Sequence, residues 1–198
     1  MVRDWRFFQD FLQRFDKHVI SLRSTFVFGD NNVNGEPIIP GQPDHRFSFW
    51  VGQGQTASSL WDGRAELVTR ATYQHTNDTL TPVERLSLGG RYSVRGYREN
   101  QLVRDKGYTL SAELHYPLFG DPRSKKQLTL IPFVDFASAS NTEGNTEKLA
   151  SAGLGIQWNF KRFDGELFYG KQLKKPTVES TGDLQDHGIH FRVRFNVF

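Results

Sequence analysis

Apolar and polar residues alternate with a period of two from about residue 18 to the end of the chain. That period puts every second side chain on one face of an extended strand. In 108–116, Tyr108, Leu110, Ala112, Leu114 and Tyr116 share one face, and Thr109, Ser111, Glu113 and His115 share the other. A tyrosine at each end of the apolar face suits a strand whose two ends lie at membrane interfaces. In 189–197, Ile189, Phe191, Val193, Phe195 and Val197 alternate with His190, Arg192, Arg194 and Asn196. Two arginines and a histidine do not fit a dry sandwich core, where unpaired charge is costly. A wet lumen or open solvent accepts them. In 148–160 the apolar face is Ala150, Ala152, Leu154, Ile156, Trp158 and Phe160, opposite Ser151, Gly153, Gly155, Gln157 and Asn159.

Further strands are predicted near 18–29, 46–55, 64–76, 127–138 and 164–173, giving eight with 108–117, 148–160 and 187–198. Each has about the ten residues that a tilted strand needs to cross a bilayer. The connections alternate strictly between long (30–45, 77–107, 138–147, 174–186) and short (56–63, 118–126, 161–163). One rim therefore carries all the large loops, as in outer-membrane barrels with short periplasmic turns. The first 17 residues admit two readings. Trp5, Phe8, Phe11, Leu12, Phe15 and Val19 fit one face of a helix. Trp5, Phe7, Phe11 and Phe15 fit one face of a strand, with Asp16-Lys17 as a tight turn, and this reading is preferred. The expected fold class is all-β, an antiparallel transmembrane β-barrel of eight or nine strands.

Composition is consistent with that picture but does not impose it. Hydrophobic residues make up 37%, with no apolar run near the length of a spanning helix. A barrel escapes that test, because only alternate residues meet lipid. Aromatic residues reach 14%, including 17 Phe. The chain has no cysteine, which excludes disulfides and thiol catalysis. A formal charge of +3 is too small and dispersed for nucleic acid. Residues 1–20 lack a continuous apolar segment, so a mature form or a fragment is expected rather than a precursor. His187 and His190 are three apart and would face opposite sides of a strand, so no shared metal is expected. No nucleophile elbow, phosphate-binding loop or paired-carboxylate motif is present, and neither catalysis nor a cofactor is expected.

The long connection 77–107 holds the most specific stretch, Leu88-Gly89-Gly90-Arg91-Tyr92-Ser93-Val94-Arg95-Gly96-Tyr97, followed by Asp105-Lys106-Gly107-Tyr108 and Glu113-Leu114. Farther on come Ile131-Pro132-Phe133-Val134-Asp135-Phe136 and a terminal Phe198. This order resembles the hemolysin-activator type of two-partner secretion transporter (TpsB), within the Omp85 superfamily. Two positions depart from the family pattern, Arg104 and Ala137, where glycine is common. Phe198 also falls out of phase with the apolar set of Phe195 and Val197, the three residues expected to form the barrel-insertion signal.

The resemblance implies a sixteen-stranded barrel preceded by two POTRA domains, of which this chain would be the C-terminal half as one domain spanning residues 1–198. In the family the motif loop folds into the lumen and five strands follow it, as five do here. The resemblance also implies that Arg95 pairs with Asp135, Glu113 or both, which alternation places on the luminal face. The rest of the lumen would be lined by Arg64, Glu66, Arg70, Arg192 and Arg194. The implied function is passage of an extended, secreted partner polypeptide across the bacterial outer membrane. The other implied partners are outer-membrane lipid and the barrel-assembly machinery. Two copies could pair through open edges if the half stands alone. Two alternatives remain at this point, Omp85-type insertion of other barrels and a soluble lipocalin-like ligand-binding barrel.

Overall fold

The computed structural model describes residues 3–30, 43–120, 126–160, 163–175 and 186–195. Eleven strands follow in chain order: β1 (Arg3–Arg14), β2 (His18–Asp30), β3 (Arg46–Leu60), β4 (Ala65–His75), β5 (Leu86–Leu88), β6 (Leu102–Arg104), β7 (Lys106–Phe119), β8 (Lys126–Ser140), β9 (Glu147–Phe160), β10 (Phe163–Gln172) and β11 (Ile189–Phe195). Nine form one antiparallel sheet in the order β1-β2-β3-β4-β7-β8-β9-β10-β11, and β5 pairs with β6 as a separate hairpin. Every neighbour in the large sheet except β4–β7 is also the next strand in sequence. The β4–β7 connection is the motif loop. Among the described residues no pairing joins β1 to β11, so the sheet is open at both edges.

The N-terminal segment is a strand. Phe15 N–H bonds to His18 O at 2.7 Å, closing the Asp16-Lys17 turn, and β1 pairs with β2 from Arg3↔Asp30 to Arg14↔Val19. Strand ends differ from the sequence reading in places. The third strand continues to Leu60 rather than stopping near 55, because Thr56, Ala57 and Ser58 pair with Thr69, Val68 and Leu67. Arg64 is a correction to the expected lumen lining. It sits in the turn after Trp61–Gly63, in helical backbone conformation and exposed at the rim, outside the β4 wall. The turn needs a residue there that reverses the chain, so period-two counting does not reach it.

The outer face is predominantly apolar. Phe7, Phe11, Leu22, Leu110, Val134, Leu154, Leu167 and Phe191 are all exposed on it. Aromatic residues gather at both of its edges. Phe28, Tyr73 and Tyr108 lie near the long-loop rim, and Trp61, Tyr116, Phe119, Phe160, Phe163 and Phe195 near the short-turn rim. Such girdles mark the two interfaces of a spanning barrel. The concave face instead buries Arg95, Glu113, Asp135, Glu166 and His190. An apolar exterior around a charged interior is the reverse of a soluble ligand-binding barrel, and that alternative is excluded. Val197 and Phe198 lie outside the described residues; Phe195 points outward from β11.

Candidate functional site: the luminal arginine loop

Residues 76–105 leave β4 at the long-loop rim and fold back over the concave face. The β5–β6 hairpin stiffens the loop, and its tip carries Gly89, Gly90 and Gly96, all at positive φ. Leu88, Val94, Tyr97 and Leu102 are fully buried against Ala137, Ala139 and Leu149 of β8 and β9. This apolar contact places the tip on the wall, and the polar contacts fix its position.

Arg95 is 2% exposed and Asp135 0%. Its Nε donates to Asp135 Oδ2 at 2.8 Å and its Nη2 to Asp135 Oδ1 at 2.7 Å, a bidentate pair. Nη1 donates to Glu113 Oε1 at 2.6 Å. Nη2 also reaches Ser111 Oγ at 3.1 Å, and the Arg95 backbone N–H donates to Asp135 Oδ2 at 3.0 Å. Below the guanidinium plane the Phe133 ring centre lies at 3.6 Å, so the cation is covered as well as paired. A planar five-donor fork is the side chain suited to two carboxylates and a ring at once. Both expected partners, Glu113 and Asp135, are thus brought to Arg95.

Glu113 is shared with the wall. Arg70 Nη1 lies 3.1 Å from Glu113 Oε1, and His115 Nε2 lies 2.8 Å from Oε2. A second loop arginine, Arg91, donates through Nε and Nη2 to both oxygens of Glu166 at 3.1 and 2.9 Å, with Arg192 at 3.4 Å on the same carboxylate. Of the expected lining residues, Glu66, Arg70, Arg192 and Arg194 lie on the concave face by register. Further ion pairs spread the loop's attachments across the sheet. Arg6 of β1 donates to both oxygens of Glu84 at 2.7 and 2.9 Å, and Arg104 pairs with Glu147 of β9 at 2.6 Å.

At the tip the loop backbone touches the wall directly. Gly96 N–H donates to His190 Nε2 at 3.3 Å, and Gln172 Nε2 donates to Gly96 O at 2.7 Å. A Cβ on Gly96 would stand 2.8 Å from Gly170 O. Tyr97 closes the contact, its hydroxyl donating to Lys174 O at 2.5 Å and accepting from Ala150 N–H at 3.1 Å.

Sequence reasoning missed one buried anchor. Asp105, fully buried, accepts from Leu80 N–H at 3.1 Å, Arg85 Nε at 3.0 Å and Thr142 N–H at 3.0 Å. It ties the two feet of the loop to the β8–β9 connection. Its place in the Asp105-Lys106-Gly107 stretch marked the residue, but no local pattern reveals these partners. Asp105→Ala orphans two backbone donors, leaves Arg85 with the Leu80 carbonyl but no carboxylate, and is expected to cost about 3 kcal/mol. Native-state hydrogen exchange at the Leu80 and Thr142 amides would show it, and unchanged protection there would contradict the anchor role. Arg91–Glu166 was also missed, although alternation along β10 would have put Glu166 on the luminal face.

The model of one family, "Haemolysin secretion/activation protein ShlB/FhaC/HecB", matches residues 4–158. The chain belongs to this family. It is a segment of an outer-membrane two-partner secretion transporter barrel of the Omp85 superfamily. It is similar to the outer membrane transporter CdiB of Escherichia coli O6:K15:H31 (strain 536 / UPEC), with 36% identity over 80 residues, 40% of this chain and 13% of that protein. The solved structure of CdiB from Escherichia coli superposes with a TM-score of 0.81 at 23% identity, covering 98% of this chain and 36% of that one. The superposition establishes a shared barrel fold. The chain spans well under half the length of both relatives.

Proposed function

We propose that this chain supplies the C-terminal wall and the luminal loop of a transporter that passes an extended partner polypeptide across the outer membrane. On this reading residues 1–198 are one domain, part of a larger barrel whose remaining strands close the open edges at β1 and β11. The Arg95–Asp135–Glu113 cluster carries the reading. It holds a long loop inside a charged, concave lumen through side chains of the wall rather than by strand pairing, an arrangement that fixes a luminal element without making it part of the sheet. Family membership supports secretion over insertion of other barrels.

The test is to replace residues 86–104 of the full-length transporter with a short glycine–serine linker. The partner polypeptide should vanish from the medium while the barrel still inserts and migrates faster on gels before boiling. Unchanged secretion would remove the loop from the mechanism. A fall in other outer-membrane proteins alongside secretion would favour the insertion reading.

A further inference from the structure

The luminal wall changes character along its length. Toward the long-loop rim its charges, Asp135, Glu113 and Glu166, are all taken up by arginines. Toward the short-turn rim the loop no longer covers the wall, and the concave face opens into a recess of about 410 Å³. On one side of the recess stand four uncharged hydrogen-bonding side chains, Gln127 and Thr129 of β8 and Gln157 and Asn159 of β9. Register makes them a two-by-two patch, with Thr129 opposite Gln157 and Gln127 opposite Asn159. Among the described residues none of the four side chains has a hydrogen-bond partner or an ion pair. Glu66 and His115 face them across the recess.

We infer that this patch is a binding strip for the backbone of an extended polypeptide entering from the short-turn rim. The inference rests on the transport reading and places a contact on its path. A carboxamide carries both donors and an acceptor, so it can meet a peptide N–H or C=O whichever is presented. Gln157 and Asn159 are two residues apart on one strand, about 6.6–6.8 Å along it. That is also the repeat of like-facing backbone groups in an extended chain. Main-chain recognition gives affinity without regard to side chains, as in strand addition to a sheet edge. The four residues carry no charge, so their own contacts do not depend on the sign of the passing sequence. Where the loop lies, by contrast, no wall carboxylate is left for a guest.

The test uses the full-length transporter in a planar lipid bilayer and reads blockades of its ionic current. The probe is a glycine–serine peptide of roughly thirty residues, long enough when extended to cross the ~30 Å hydrocarbon core. A polyethylene glycol of equal contour length is the control, because it has no amide groups. In the double variant Gln157→Met with Asn159→Leu, peptide blockades should shorten about tenfold, the effect of losing two hydrogen bonds. Glycol blockades should keep their length. Peptide dwell unchanged in the variant would overturn the strip while leaving transport intact. Equal shortening for both polymers would also overturn it, by revealing a purely steric constriction. If neither polymer enters the wild-type channel, the transport reading fails and the strip falls with it. Should the double variant fail to insert, Gln157→Met alone gives the same comparison with a smaller change.

Discussion

Replacing Arg95 with alanine is expected to destabilise the inserted protein by about 3–5 kcal/mol, the range for removing one member of a buried ion pair. The cost falls unevenly on its two partners. Glu113 keeps Arg70 at 3.1 Å and His115 at 2.8 Å. Asp135, whose side chain has no exposed surface, keeps among the described residues only the Ser111 hydroxyl at 2.7 Å and any backbone N–H the loop still offers. The stranded charge is therefore mainly Asp135. Removing it as well, in Arg95→Ala with Asp135→Ala, should cost little more than either single change, so the coupling comes close to a whole single-variant loss of about 3–5 kcal/mol. Arg95→Lys should not restore stability, since a single ammonium cannot chelate Asp135 and reach Glu113 in the same plane. Urea titrations of the full-length transporter, read by unboiled gel mobility, would measure all four proteins. Additive losses for Arg95 and Asp135 would sink the pairing account.

Gly96→Val should dislodge the loop tip with a loss of similar size, by a different route. Gly96 holds φ at +92°, a region that costs a branched residue about 1–3 kcal/mol. Its new Cβ would also lie 2.8 Å from Gly170 O and 3.0 Å from the carbonyl carbon, both backbone atoms of β10 that cannot swing aside. Overpacking of that kind adds about 1–3 kcal/mol. The expected result is a barrel that still inserts but carries a displaced loop, with higher single-channel conductance and new protease cleavage near Tyr97. Gly63→Val separates the two causes. It has φ at +88° but only the Ser59 hydroxyl near its Cβ, at 4.0 Å, so it bears the backbone strain without the crowding. If both variants behaved alike, contact with Gly170 would not be what seats the tip.

Much of the architecture was readable because a strand's two faces are a local property. Alternation alone separates Leu110 and Leu114 from Ser111 and Glu113, and Phe191 and Val193 from Arg192 and Arg194, and the register leaves each on the face so assigned. The long–short rhythm of the connections pointed to the rim bearing the motif loop for the same reason, although the strict alternation does not hold, since the β8–β9 connection (141–146) is no longer than the β7–β8 one (120–125). Local patterns lose force where the chain stops being periodic. Arg64 looked like a wall residue by counting and is a turn residue, because the reversal at Trp61–Gly63 consumes its position. The choice of helix or strand for residues 3–14 was decided by a neighbour, as β1 takes its hydrogen bonds from β2.

The motif loop marks the limit of the sequence most clearly. Its residues, and Asp135 and Glu113 as partners for Arg95, were legible from motif order and strand parity. The tertiary structure alone settled how the three share one site, that Arg70 and His115 also claim Glu113, and that Asp105 pins the base of the loop. It alone showed that Gly170 leaves room for Gly96. These contacts join residues as far apart in sequence as Gly96 and Gly170 through the curvature of a nine-stranded sheet. Sequence patterns report which face a side chain takes; the distance between opposite walls of a concave sheet follows only from how all the strands twist together.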